Sequence, residues 1–221
     1  MGLHAEVMRL LLPPSCAGCG ARGAYVCGSC RAGFLPPRSG PPPPLVDWWA
    51  ACVSYEGVAR ELIARAKYRN ARAALSVFTT DLVVCVQAAP TPIDVVTWAP
   101  ASSSRYAHTG VDHARVIARD LARIIGTPIE ELLRRDRGAP QTGRNARERR
   151  DGPRLHARRA VPGRIVLVVD DVTTTGGTLT AAARALRRQG AAQVYAATLA
   201  RTPGPNWGVS VPAYTSATTP S

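Results

Sequence analysis

The stretch Ile165–Thr178, IVLVVDDVTTTGGT, decides how this chain is read. From Arg164 to Val169 the run is almost wholly apolar, the pattern of a parallel strand buried on both faces. Asp170 and Asp171 stand at its carboxyl end, where open α/β sheets bind their ligands. The turn that follows, Thr173, Thr174, Thr175, Gly176, Gly177 and Thr178, opens a helix predicted over 177–189. A helix N-terminus presents unpaired backbone N–H groups and the positive end of the helix dipole, and both favour a phosphate. The threonine hydroxyls add donors, and the two glycines let the backbone approach an anion closely. Carboxylates beside such a site accept hydrogen bonds from sugar hydroxyls or help to hold Mg²⁺. A phosphate cradle next to hydroxyl acceptors describes a ribose 5-phosphate. A buried strand, an N-cap and a plain turn would account for the valines and glycines, but not for two acids meeting a threonine-rich turn. The segment has neither the Gly-Lys-Thr of a Walker A loop nor a dinucleotide G-x-G-x-x-G.

Outward from this stretch, strand and helix patterns alternate. Strands are predicted over 48–55, 93–98 and 191–200, and helices over 57–68, 71–87 and 112–125. Such alternation predicts an α/β domain with a parallel sheet flanked by helices. Residues 36–44, PPRSGPPPP, read as a stiff extended spacer. They divide residues 1–35, a short helix plus a cysteine module, from a main domain over 45–201, with a flexible tail over 202–221. Cys52 and Cys85 lie in apolar runs and read as buried thiols.

The 221 residues carry a net charge of +13, and 46% of them are hydrophobic, which excludes a disordered polycation. Ten arginines against three acids give residues 134–159 a local net of +7. With glycines and prolines among them, these residues read as a long mobile loop, a lid for pyrophosphate or a DNA backbone. The chain has one lysine, Lys67, beside 27 arginines. An ammonium is a compact, strongly hydrated charge that a planar guanidinium does not replace. His108, His113 and His156 have no metal spacing and read as ordinary. No run of 18 or more apolar residues occurs, so no membrane span is expected. The apolar run Leu10–Leu12 stops at Pro13 and is too short for a signal peptide, so a cytoplasmic protein is expected.

Cys16-x2-Cys19 and Cys27-x2-Cys30 form two knuckles with tight-turn glycines. Four thiolates can close a tetrahedral Zn²⁺ shell with no open position, which makes a structural site. Two disulfides or a redox pair are the alternatives, and they fit poorly with a reducing compartment.

The VVDDVTTTGGT stretch resembles the phosphoribosyl-pyrophosphate signature of type I phosphoribosyltransferases, which implies that fold and its parallel sheet. Purine salvage enzymes carry an aspartate base at the place of Thr174, so the resemblance disfavours a purine acceptor. Together with the knuckles, SYEGVARELIARAKYRN over 54–70 and GAPQTGRNARERRD over 138–151, the stretch resembles the ComF family, associated with competence and DNA uptake. The resemblance runs from about Leu10 to Arg201. It implies catalytic roles for Asp170, Asp171 and Lys67, and a phosphate site over Thr173–Thr178. It further implies Mg²⁺ with the pyrophosphate near Ser102–Ser104, and a pyrophosphate or DNA lid of Arg135, Arg137, Gln141, Arg144 and Arg149. Where the family has Pro-Val-Pro and Arg-Gly-Phe-Asn-Gln, this chain has Trp98-Ala99-Pro100 and Thr109-Gly110-Val111-Asp112-His113, and the asparagine expected after Arg149 is Gly152.

Two functions follow as expectations. One is an enzyme that transfers phosphoribosyl from phosphoribosyl pyrophosphate to an acceptor, expelling pyrophosphate with the help of positive charge. The other is a non-enzymatic DNA-uptake factor binding single-stranded DNA and a helicase-like partner. No aromatic residue lies between Arg134 and Arg159 to stack on bases.

Overall fold

The structure, a computed structural model, describes residues 13–38, 40–68, 72–102, 106, 110–136 and 152–203, except for the side chains of residues 67, 68 and 72–74. In chain order its elements are α1 (Gly28–Ala32), β1 (Trp48–Ser54), α2 (Gly57–Tyr68), α3 (Arg72–Val86), β2 (Val95–Trp98) and α4 (His113–Ile125). They continue with β3 (Leu133–Arg135), β4 (Leu155–Ala157), β5 (Ile165–Thr173), α5 (Gly177–Arg187) and β6 (Gln193–Arg201). Four strands form one sheet in the order β1-β6-β5-β2, and every pair is parallel. The expected α/β architecture is present.

Both faces of the sheet are covered, as the unbroken apolar run of β5 requires. Alternation sends Leu167 and Val169 towards α2, α3 and α4, where Leu62, Phe78, Leu82, Ile117 and Leu121 complete one core. Val166 and Val168 face the other way, against Leu179, Ala182 and Leu186 of α5. Asp112 caps α4 by accepting from Arg115 N, and Gly126 closes the helix in the left-handed conformation at φ 71°.

Two expectations need revision. β5 does not end at Val169. It pairs with β6 as far as Thr173, opposite Arg201, so Asp170 and Asp171 are strand residues. Backbone pairing outlasts the apolar run because β6 is equally long and lies alongside. Nor is 134–159 a loop throughout: its ends pair as β3 and β4, with Arg134 opposite His156, and Leu133 and Leu155 are buried beneath. The Pro-rich segment also makes specific contacts. Pro43 is buried, Leu45 O accepts from Arg187 Nε at 3.0 Å, and Arg38 O accepts from Arg201 Nη1 at 2.8 Å.

The cysteine module packs onto the same core. Phe34 stacks on Phe78 with ring centroids 5.2 Å apart, Arg31 pairs with the buried Asp81, and Ser54 N donates to Leu35 O at 2.8 Å. No helix among the described residues is long and apolar enough to cross a membrane. Phe78 joins the module to the sheet, so Phe78→Ala is expected to cost about 3–5 kcal/mol. Denaturant unfolding followed by circular dichroism measures this.

Candidate functional site

The site forms where β5 gives way to α5. Asp170 and Asp171 are both buried, and each holds the backbone of the next residue: Asp171 N donates to Asp170 Oδ1 at 2.8 Å, and Val172 N to Asp171 Oδ1 at 2.6 Å. The turn spans Thr174–Gly176, and Gly176 at φ 74° is the N-cap of α5 and brings no side chain of its own to the helix, while Gly177 N donates to Thr175 Oγ1 at 3.4 Å. An anion at this N-terminus would meet the positive end of the helix dipole and compete with Thr175 Oγ1 for Gly177 N. Thr174 and Thr175 are exposed, whereas the hydroxyl of Thr173 is buried with no hydrogen-bond partner among the described residues. A buried orphan hydroxyl carries a desolvation cost that an incoming acceptor relieves.

Two other segments press on this turn. A Cβ at Gly176 would lie 3.0 Å from Pro43 Cβ, and one at Gly152, where φ is 71°, would lie 2.4 Å from Gly177 O. The return arm of the arginine-rich segment thus rests on the turn backbone to backbone. This explains Gly152 where the resemblance expects asparagine.

Beside the turn lies a pocket of about 80 Å³, lined by Ala99–Ser102, Asp112, His113, Arg135, Asp170, Asp171 and Thr178 among others. Asp112 Oδ2 accepts from Ala101 N and its Oδ1 from Arg115 N, both at 3.3 Å. Burial raises the Asp112 carboxyl above its ordinary value, and the Asp171 charge adds to the rise against the lowering effect of these N–H groups and Trp98. Arg135 Nη1 donates to Pro100 O at 3.4 Å, so this predicted lid residue is a strand residue gripping the pocket wall. Asp112 and His113, read as a departure and as an ordinary histidine, are both pocket residues. The helical pattern from 112 put Asp112 at an N-terminus, but its meeting with Asp171 depends on β2 and β5 lying side by side.

The other predicted residues divide. Lys67 belongs to α2, and its side chain lies outside the described residues, as do Ser103, Ser104, Arg137, Gln141, Arg144 and Arg149. His156 Nε2 meets Asp136 Oδ2 at 2.9 Å across β3 and β4, away from the pocket lining.

The four module cysteines do converge, with Sγ atoms all within 4.8 Å of one another and those of Cys19 and Cys27 at 3.5 Å. All are free thiols. Cys27 N donates to Cys16 Sγ at 3.3 Å, and a Cβ at Gly18 would lie 2.7 Å from Cys30 Sγ, so the first knuckle requires glycine there. Burial raises the Cys16 thiol, but N–H groups of Cys19, Cys27 and Gly18 outweigh it and bring the thiol down to about 6. Burial, then hydrogen bonding with Cys16, Cys27 and Cys19, pushes Cys30 up to about 12. Four sulfurs so close could hold one metal ion between them.

Gly152→Ala is expected to displace the turn, lowering both the melting temperature and the affinity for ribose 5-phosphate. Thermal melts with and without that ligand measure the two effects.

Comparison with known proteins gives the site a context. The chain is 40% identical over 85 residues to a ribose-phosphate pyrophosphokinase of Methanopyrus kandleri, covering 38% of this chain and 25% of that protein. It therefore spans about a quarter of that relative's length. Among solved structures, a purine phosphoribosyltransferase from Pyrococcus horikoshii aligns at 18% identity and TM-score 0.39, over 57% of this chain and 72% of that one. A glutamine phosphoribosylpyrophosphate amidotransferase from B. subtilis aligns at 27% identity and TM-score 0.40, over 57% and 26%. The model of the phosphoribosyl transferase domain family matches residues 112–210, from the N-cap of α4 through β6, and the aspartate pair, the threonine turn and the pocket acid Asp112 all fall within the matched stretch.

Proposed function

We propose that the chain binds phosphoribosyl pyrophosphate, or a related ribose 5-phosphate, across the β5–α5 turn and transfers the phosphoribosyl group to an acceptor, as a ComF-type protein. The observation that carries this reading is the N-terminus of α5, capped by a glycine, beside a buried aspartate pair. The 5-phosphate lies on the turn Thr173–Thr178, held by backbone N–H groups and threonine hydroxyls. The ribose hydroxyls donate to Asp170 and Asp171, and the pyrophosphate occupies the pocket walled by Ala99–Ser102 and Arg135. With threonine at 174, no carboxylate in the turn takes a proton from an acceptor. His113 is the one imidazole lining the pocket among the described residues.

Mg²⁺ fits as a cation that arrives with the ligand. Asp112, Asp170 and Asp171 offer hard oxygens, but among the described residues only the cysteines gather three or more ligand atoms closely enough to hold a metal alone. Bound with the ligand, Mg²⁺ would neutralise charge on the departing pyrophosphate. Isothermal titration with phosphoribosyl pyrophosphate and Mg²⁺ is expected to give 1:1 binding. Asp171→Asn and Thr175→Val should each weaken it by about tenfold, the loss of one charge-assisted hydrogen bond. Absence of heat beyond dilution, or unchanged affinity in both variants, defeats the proposal.

The cysteine site, on this reading, holds one Zn²⁺ in a closed shell of four thiolates. Cys16 and Cys30 belong to the main core, so chelation should lower the melting temperature of the whole chain in one transition rather than release a separate module. Elemental analysis and calorimetry before and after chelation check this, and an unchanged melting curve counts against it.

A further inference from the structure

We propose that Cys52 and Cys85 form a redox-modification site, closing to an intrachain disulfide when the chain meets a peroxide. The two thiols belong neither to the β5–α5 site nor to the four-cysteine cluster, so the inference is independent of the function proposed above. Cys52 lies on β1 and is buried, while Cys85 lies near the end of α3 and is half-buried. Both are free thiols. Across the contact between β1 and α3, Cys52 shares a side-chain hydrogen bond with Cys85, and its Sγ lies 3.9 Å from Phe78 O. Helical side chains lean towards the N-terminus of their helix, which brings the Cys85 sulfur back along α3 in the direction of Phe78. Sulfurs in hydrogen-bond contact on facing elements meet the first requirement of a disulfide, side chains directed at each other. Packing alone accounts for a buried Cys52. It does not account for a second thiol paired with it at a place that solvent reaches, beside Val84, which is 54% exposed.

Their surroundings give the two thiols different roles. The hydrogen bond from Cys52 lowers the Cys85 thiol, against burial and the charge of Asp81 one turn earlier on α3. Burial first, then Cys85 and Asp81, push Cys52 well above its ordinary value, against the Arg31 charge. Asp81 is itself paired with Arg31, which moderates its repulsion of a thiolate. The proton of the pair therefore stays on Cys52, and the thiolate forms on Cys85, the sulfur nearer solvent. That thiolate attacks one oxygen of hydrogen peroxide: an S–O bond forms, the O–O bond breaks, and hydroxide leaves. Cys85 is then a sulfenic acid. The Cys52 sulfur attacks the Cys85 sulfur, the S–O bond breaks, and the departing hydroxide takes the Cys52 proton and leaves as water. Two electrons pass from the thiols to the peroxide, and the thiols end as a disulfide.

The test treats the full chain with hydrogen peroxide, alkylates the remaining thiols and maps the cysteine peptides by mass. The expected product is a cross-linked pair of peptides carrying Cys52 and Cys85, with alkylation of both lost together and recovered after dithiothreitol. Cys52→Ala is expected to leave Cys85 at the sulfenic acid, trapped by dimedone, and Cys85→Ser to leave Cys52 reduced. Full alkylation of Cys52 and Cys85 after peroxide overturns the inference, as does a disulfide from either of them to a cysteine of the module. Cys85 oxidised beyond recovery by the reductant overturns it too, because a resolving thiol in contact forestalls that step. The assigned order of attack falls, and the inference with it, when Cys52 oxidises as fast in Cys85→Ser as in the parent. Where a variant does not fold, the peptide map of the parent decides alone.

Discussion

Gly152 and Gly177 meet backbone to backbone, closer than any side chain permits, and the β5–α5 turn is built around that contact. On its other side Gly176 lies against Pro43, where a Cβ would be 3.0 Å from the proline ring and would fit only if the ring gave way. The turn between β5 and α5 is therefore held by the Pro-rich segment and by the arm returning to β4, two pieces of chain far apart in sequence. A turn clamped in this way keeps its N–H groups directed at one place, with Thr175 Oγ1 accepting from Gly177 N. Such preorganisation is what anion binding by backbone dipoles needs, because the donors do not have to reorient when the ligand arrives.

The cysteine module follows a similar logic of mutual support. Cys16 and Cys30 are buried among Leu62, Phe78 and their neighbours, and Arg65 holds the first knuckle through the carbonyls of Ala17 and Gly18 at 3.1 and 2.6 Å. The knuckles close one end of the core over α2 and α3. A metal shell at that position would brace α2, the helix that carries Lys67.

Charge is distributed less simply than the net value implies. Several arginines of 134–159 form ion pairs at the base of the hairpin: Arg158 with Glu131 at 2.7 Å, and Arg159 with Glu130 at 2.8 Å. These exposed pairs contribute little stability individually, but they occupy cations that the sequence presents as available. Meanwhile the pocket of a strongly basic protein is lined by three aspartates.

The sequence by itself determined the sheet and the turn. An apolar run long enough to be buried on both faces, followed by acids and then by Thr and Gly at a helix start, allows few other structures, because strand and helix periods differ and the helix start requires open donors. It also determined the cysteine cluster, since paired C-x2-C spacing brings four sulfurs together through local turns. Only the tertiary structure decided that β5 continues through its acids, because β6 supplies backbone partners there. Likewise it alone decided that Gly152 touches Gly177, that Arg135 grips the Pro100 carbonyl, and that Asp112 and His113 join the pocket. Each of these depends on which strands lie side by side and which distant segments cross the turn, and no local periodicity encodes that.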